Sequence, residues 1–237
     1  MIEVLAIVLV LVWLWWSLFF KKLDLSKYKD GERWALVTGA SDGIGLAYAQ
    51  ELVEHGFKVY MVGRNREKLE RVRLRGCEII VSDASQPFDA DYILEQVKHP
   101  IAILVNNVGM ALGVSASFET ASFDQIQRMI TVNCTYPVLL TKALLPRLET
   151  KALVINIASI AGLTVTPFNA VYGATKAFSH AFSLNLSAEY PHLDVLSVCP
   201  GRKFLLRTSG NEDDRIEGVL VGAIRKRLRQ GFFGESR

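Results

Sequence analysis

Tyr172 and Lys176 stand four residues apart in the run Tyr172-Gly173-Ala174-Thr175-Lys176. On a helix that spacing puts both on one face. An ammonium beside a phenol favours the phenolate, which suits the phenol to give a proton to a nascent alkoxide. Ser159 lies thirteen residues before Tyr172, at the end of an apolar run. Its hydroxyl can hydrogen-bond a carbonyl oxygen and share the charge that develops there. A second constellation is Thr38-Gly39-Ala40-Ser41-Asp42-Gly43-Ile44-Gly45. Gly39 permits a tight turn, Gly43 lets backbone N–H groups approach a pyrophosphate, and Gly45 allows close helix–strand packing. A helix opening there adds favourable partial charge for phosphates, with Ser41, Asp42 and Ile44 alongside.

Cofactor selection in such a turn falls to the end of the second strand. An acid there binds ribose hydroxyls, and a base accommodates a 2′-phosphate. The sequence gives Val62-Gly63-Arg64-Asn65-Arg66, with no acid, so Arg64 is a 2′-phosphate clamp candidate and NADP is favoured over NAD. Asp83 follows the third strand and could cap an adenine edge. Asn106-Asn107-Val108-Gly109 follows the fourth, where asparagine can satisfy backbone groups and Gly109 leaves room for a ribose.

These residues need a scaffold, and the hydropathy pattern predicts one. Apolar runs at 34–38, 57–62, 78–82, 101–105, 152–158 and 194–198 read as strands. Helical stretches are expected over 43–55, 65–75, 122–148 and 169–190, with one more near 216–229. Alternation of continuously apolar strands with helices means a parallel sheet covered on both faces. The fold class is α/β, a Rossmann-type doubly wound parallel sheet of six or seven strands.

Residues 4–20 are uncharged, and Trp13, Trp15, Trp16, Phe19 and Phe20 crowd their end before Lys21 and Lys22. The run is just long enough to span a bilayer, and the positive flank places the downstream chain in the cytosol. The organisation expected is an anchor over 1–22, a linker over 23–32 and an oxidoreductase domain over 33–237. Across 237 residues, 50% are hydrophobic and 22% charged, which excludes global disorder. A net charge of +3 is too mild to argue for nucleic acid. Three scattered cysteines share no metal spacing with the four histidines, so neither a disulfide framework nor a metal site is expected.

Together TGxxxGxG, NNxG, the serine and YxxxK resemble the short-chain dehydrogenase/reductase superfamily over about Trp34 to Gly201. A narrower resemblance, in the stretch from Gly39 to Glu70 and in the run from Tyr172 to Tyr190, is to membrane-bound very-long-chain 3-oxoacyl-CoA reductases and 17-beta-hydroxysteroid dehydrogenases. The resemblance implies NADP(H), a lipid-like carbonyl substrate (acyl-CoA or steroid), an endoplasmic reticulum membrane location and a homodimer through the two long helices. It implies Tyr172 as general acid, Lys176 as its tuner and ribose ligand, Ser159 on the carbonyl and Asn133 holding a relay water. Asn107 and Gly109 would line the ribose, and Pro200-Gly201 would form the turn beside the nicotinamide. The nearest threonine after that turn, Thr208, is farther along than the family pattern has it, and 36 residues follow Gly201. A shortened substrate lid is therefore expected. The alternative is a non-catalytic nucleotide-binding membrane protein, for which a tuned phenol would serve no purpose.

Overall fold

The computed structural model describes residues 24–28, 33–112 and 118–201. Within these residues six parallel strands form one sheet: β1 (Trp34–Thr38), β2 (Lys58–Gly63), β3 (Cys77–Val81), β4 (Ile101–Asn106), β5 (Leu148–Ile157) and β6 (Asp194–Val198). Their order is β3-β2-β1-β4-β5-β6, so the chain reverses direction across the sheet between β1 and β4. Ligands in such sheets bind at that switch point, outside the carboxyl ends of the strands.

Side chains alternate across the sheet and bury both faces. Ala35 and Val37 join one core with Val59, Met61 and Val105; Leu36 joins the other with Tyr60, Leu104 and Val154. Helix α1 (Gly43–Glu54) covers the first face through Tyr48 and Leu52, and stops at Gly56, whose φ is +84°. Left-handed backbone of this kind suits glycine. Helices α2 (Arg66–Arg71) and α3 (Ala90–Gln96) are short. The sequence reading missed α3, although Asp89 caps it by accepting from the Tyr92 N–H at 2.9 Å.

The expected single helix over 122–148 is divided. It is α4 (Phe123–Ile130), a widened π turn over Thr131–Thr135, α5 (Tyr136–Leu144) and a tight turn over Leu145–Arg147, after which β5 has already begun. Pro137 has no N–H to give the Asn133 carbonyl one turn back, and the helix opens at that point. Helix α6 (Ala170–Glu189) matches its expected span closely.

Val4 to Phe20 and the stretch 216–229 lie outside the described residues. Among the described residues no helix is long and apolar enough to cross a membrane. Part of the expected linker packs on the domain: Leu25 and Tyr28 are buried, and the Tyr28 hydroxyl donates to Asp194 Oδ2 at 2.5 Å.

At their carboxyl ends the central strands turn polar. Asn106 and Asn156 are register partners on β4 and β5, both buried. Asn106 Nδ2 donates to Asn156 Oδ1 at 2.8 Å and to Thr141 Oγ1 at 2.9 Å, and Asn156 Nδ2 donates to Ser183 Oγ at 2.9 Å. This chain joins β4, β5, α5 and α6 behind the site. Asn156→Ala strips partners from buried groups on both sides. It is expected to cost about 2–3 kcal/mol in urea unfolding, against well under about 1 kcal/mol for a change at an exposed surface position.

Candidate active site

The turn after β1 is stitched to the turn after β4. Thr38 Oγ1 accepts from the Asn107 N–H at 2.9 Å and the Val108 N–H at 3.0 Å, and donates to the Val105 carbonyl at 3.2 Å. Asn107 Nδ2 donates back to the Thr38 carbonyl at 2.8 Å. Gly45 lies under this clasp. A Cβ there would stand 2.2 Å from the Gly39 oxygen and 2.4 Å from Asn107 Nδ2. Asp42 caps α1 by accepting from the Gly43 N–H at 2.7 Å.

Ser159 sits just beyond β5 with extended backbone, φ −165°. Its Oγ accepts from the Ala161 N–H at 3.2 Å and so caps the tight turn over Ile160–Gly162. That turn lies flat on α6. A Cβ on Gly162 would come within 2.5 Å of the Ala177 nitrogen, so only glycine lets the serine turn approach the helix that carries Tyr172 and Lys176. Tyr172 occupies the first turn of α6.

Lys176 is only 5% exposed. Its Nζ donates to the Ile157 carbonyl at 2.8 Å and stands 5.8 Å from the Tyr172 ring centroid. Burial pulls its pKa down to about 8, and the neighbouring thiols of Cys134 and Cys199 oppose that shift. A Cβ on Gly109 would reach 3.3 Å from Nζ, so the bare backbone at Gly109 keeps the approach to the ammonium open. Burial also pushes the thiols of Cys77, Cys134 and Cys199 up, in keeping with unreactive packing residues. Among the described residues no cluster of side chains could hold a metal ion.

Most of the sequence-selected residues converge on one cleft along the carboxyl edge of the sheet. A lobe of about 880 Å³ is lined by Gly39, Asp42, Ile44, Asn107, Gly109, Ser159, Tyr172, Lys176 and Pro200. A neighbouring lobe of about 1100 Å³ is lined by Ser41, Arg64 and Asp83, and it shares Gly39 and Gly109 with the first. Gly43, Gly45 and Gly201 shape the backbone around these lobes without lining either. Asn133 also lies outside both. Its side chain grips the Met110 backbone, Oδ1 accepting from the N–H at 2.7 Å and Nδ2 donating to the carbonyl at 2.8 Å and to Thr175 Oγ1 at 2.9 Å. Oδ1 has a second lone pair beyond the bond from Met110, and the Asn133 carbonyl, which receives no N–H from Pro137, accepts from the Ser179 hydroxyl at 3.5 Å.

Sequence reasoning missed Arg128 and Tyr136, which line the second lobe. Tyr136 donates to Ser82 Oγ at 3.0 Å and meets Phe88 edge-on at 5.6 Å. Arg128 pairs with Asp124 one helical turn earlier, a spacing that marks an ordinary surface pair and gives no sign of a ligand. Gly162 also went unnoticed, since a close backbone approach leaves no spacing pattern.

A cradle of backbone that any Cβ would fill, at the switch point of a parallel sheet, fits an extended dinucleotide. With the serine, phenol and ammonium beside it, this fold and site define a Rossmann-type oxidoreductase. The chain matches the short chain dehydrogenase family over residues 33–208 and belongs to it. It is 36% identical over 180 residues to a very-long-chain 3-oxoacyl-CoA reductase of Neurospora crassa, covering 70% of this chain and 54% of that one. It is 37% identical over 192 residues to the 17-beta-hydroxysteroid dehydrogenase type 3 of Homo sapiens, covering 75% and 61%. The chain thus spans little more than half the length of these curated relatives. Among solved structures it is similar to a serine dehydrogenase complexed with NADP+, at 33% identity and TM-score 0.66 over 71% of each chain. It is also similar to a Sphingobium yanoikuyae short-chain dehydrogenase in complex with NADPH, at 32% identity and TM-score 0.65, covering 71% and 70%.

Gly45→Ala drives a methyl into two backbone-anchored atoms that cannot move independently. The variant is expected to lose about 3 kcal/mol or more of stability by denaturant unfolding, and with it dinucleotide binding by fluorescence titration.

Proposed function

We propose that the chain is an NADP(H)-dependent carbonyl reductase that converts a long-chain 3-oxoacyl-CoA to the 3-hydroxyacyl-CoA. The observation that carries this reading is the convergence of Ser159, Tyr172 and Lys176 on a cleft whose opposite wall is the glycine turn of β1 and α1. In this reading the turn from Gly39 to Gly45, with Ser41, Asp42, Gly43 and Ile44, holds the pyrophosphate at the head of α1. Arg64, exposed at the rim of the second lobe, takes the 2′-phosphate, and Asp83 borders the adenine. Asn107, Gly109, Pro200 and Gly201 bound the nicotinamide half, and Lys176 binds its ribose. When bound, NADPH supplies the hydride that reaches the carbonyl carbon.

The chain's own residues supply orientation and the proton. Ser159 Oγ donates a hydrogen bond to the carbonyl oxygen and fixes its position. As that oxygen gains negative charge, the Tyr172 hydroxyl gives it a proton, and the alcohol is complete. The Lys176 ammonium then holds the tyrosinate by charge until a proton returns from solvent. A positive group buried in low dielectric beside the phenol is worth more here than in water. Asn133 acts by clamping Met110 and thereby the cleft wall.

A reductase of 17-keto steroids is the second reading, supported by similarity of the same size to the human steroid dehydrogenase. It keeps the same residues in the same roles. The uncharged run over residues 4–20, followed by Lys21 and Lys22, supports anchoring in the endoplasmic reticulum membrane with the domain in the cytosol. Exposed Leu139 on α5 and Phe178 and Leu184 on α6 support a homodimer through these helices.

The test is oxidation of NADPH by detergent-solubilised full-length protein, given a long-chain 3-oxoacyl-CoA. Turnover is expected with NADPH in preference to NADH. Tyr172→Phe is expected to lower kcat by at least about a hundredfold with nucleotide affinity retained, since it removes the proton and little else. An unchanged rate in that variant contradicts the assignment. The rate of reduction is also expected to fall as pH rises through about 8, where Lys176 gives up its proton.

A further inference from the structure

The tight turn Leu25–Tyr28 docks at one particular end of the sheet. Leu25 and Tyr28 are buried in the core, and the Tyr28 hydroxyl holds Asp194, the first residue of β6. All six strands are parallel, so their first residues share one edge, and the reductive cleft lies beyond the opposite one. Asp24, exposed beside the turn, therefore stands at the amino edge.

The uncharged run ends at Phe20. Four peptide links join Phe20 to Asp24, and fully extended they reach at most about 14 Å. A strand of five or six residues, the length of β1, β2, β4 and β6, is already about 17–20 Å deep. A tether that short cannot pass around the domain to lay the cleft on a bilayer that holds residues 4–20. It permits the amino edge, or one flank, to face the lipid.

The charges on the amino edge choose between these. Lys58 opens β2, Arg75 and Lys98 lie just before β3 and β4, and Arg147 and Lys151 flank the first residues of β5; all five side chains are exposed. Glu54, Glu78 and Glu149 lie on the same edge and are fewer. Among the described residues none of these five cations is in an ion pair. Lys58 lays its stem over the Trp34 ring, with Nζ 5.3 Å from the centroid. Long basic side chains of this kind rest on apolar surface and send their charge outward, where an anionic headgroup layer attracts it.

We propose that the amino edge of the sheet is a membrane-contact surface, with Lys58, Arg75, Lys98 and Lys151 on anionic lipid headgroups, and that the reductive cleft opens away from the bilayer. The proposal rests on the anchoring reading above and adds to it the orientation of the domain. Its consequence is that substrate enters from the aqueous side, which suits a carbonyl carried on a charged, water-soluble group.

The test reconstitutes full-length protein in phosphatidylcholine vesicles, with and without phosphatidylserine, that carry an energy-transfer acceptor on their headgroups. A donor is attached at Thr150→Cys on the amino edge, or at Val165→Cys on the loop between Ser159 and Tyr172, where Val165 is 99% exposed. Protein without the added cysteine supplies the background. With the two positions separated by about the depth of a strand, transfer from position 150 is expected to exceed that from 165 at least about twofold. It is expected to rise further in the anionic vesicles. The triple variant Arg75→Gln, Lys98→Gln, Lys151→Gln is expected to lose that rise, as is the unaltered edge in about 1 M salt. Equal or greater transfer from 165 overturns the orientation, while flotation with the vesicles upholds the anchoring. Greater transfer from 150 that ignores lipid charge overturns the headgroup contact. Protein that floats with neither kind of vesicle overturns the anchoring and the orientation with it.

Discussion

Removing an ammonium from water is expensive, and Lys176 is buried where the end of the sheet can partly compensate. The Ile157 carbonyl, at the end of β5, accepts from its Nζ, and the Tyr172 ring lies within cation–π range. The remaining cost appears as a pKa pulled down to about 8. Relative to a free lysine near 10.4, that is on the order of 3 kcal/mol held against folding. The sign comes from linkage. The unfolded chain keeps its proton to higher pH, so the penalty is full below about 8 and is relieved as pH rises toward 10.4. A group that opposes folding is retained for what it does to its neighbour, and its neighbour is the phenol.

Much of the surrounding architecture serves to hold that charge in place. Gly162 lets the serine turn lie against α6 beside Lys176, and Gly109 leaves open the space before Nζ. Asn133 clamps Met110 from behind, and its amide also binds Thr175, the residue preceding the lysine. The Asn106–Asn156 pair ties β4 to β5 just short of Ile157. The buried polar side chains of the strands, Thr38, Asn106, Asn156 and Ser197, stand within the last two positions of their strands. The core below them is apolar, and the carboxyl edge is a hydrogen-bonded frame. Across the cleft the Thr38–Asn107 clasp does the same for the glycine turn. The two walls meet at the end of β4, where Asn106 belongs to one network and Asn107 to the other, with the ligand space between them.

How much of this was legible depends on the kind of signal each feature leaves. The strands were legible because buried parallel strands are continuous apolar runs, and all six expected runs became strands. The glycine turn and the Tyr172–Lys176 pair were legible because helical and turn geometry imposes fixed spacings. Helix α3 was missed because seven residues give too little periodicity, although Asp89 offered a cap. The division of 122–148 could have been read from Pro137, whose missing N–H weakens the helix one turn earlier at Asn133. Arg128, Tyr136 and Gly162 left no pattern, since they matter through contacts between segments distant in sequence. The assignment of Asn133 to a relay water came from resemblance; the grip of its side chain on the Met110 backbone left no spacing pattern to read.

The weakened ammonium of buried Lys176 can be measured without substrate or nucleotide. The full-length protein carrying labelled lysine would be titrated by NMR, with the Lys176 resonance assigned by its absence in Lys176→Met. A titration midpoint near 8 is expected. A midpoint at the ordinary lysine value of about 10.4 would contradict it, because the charge would then be solvated and unable to act on Tyr172 as described.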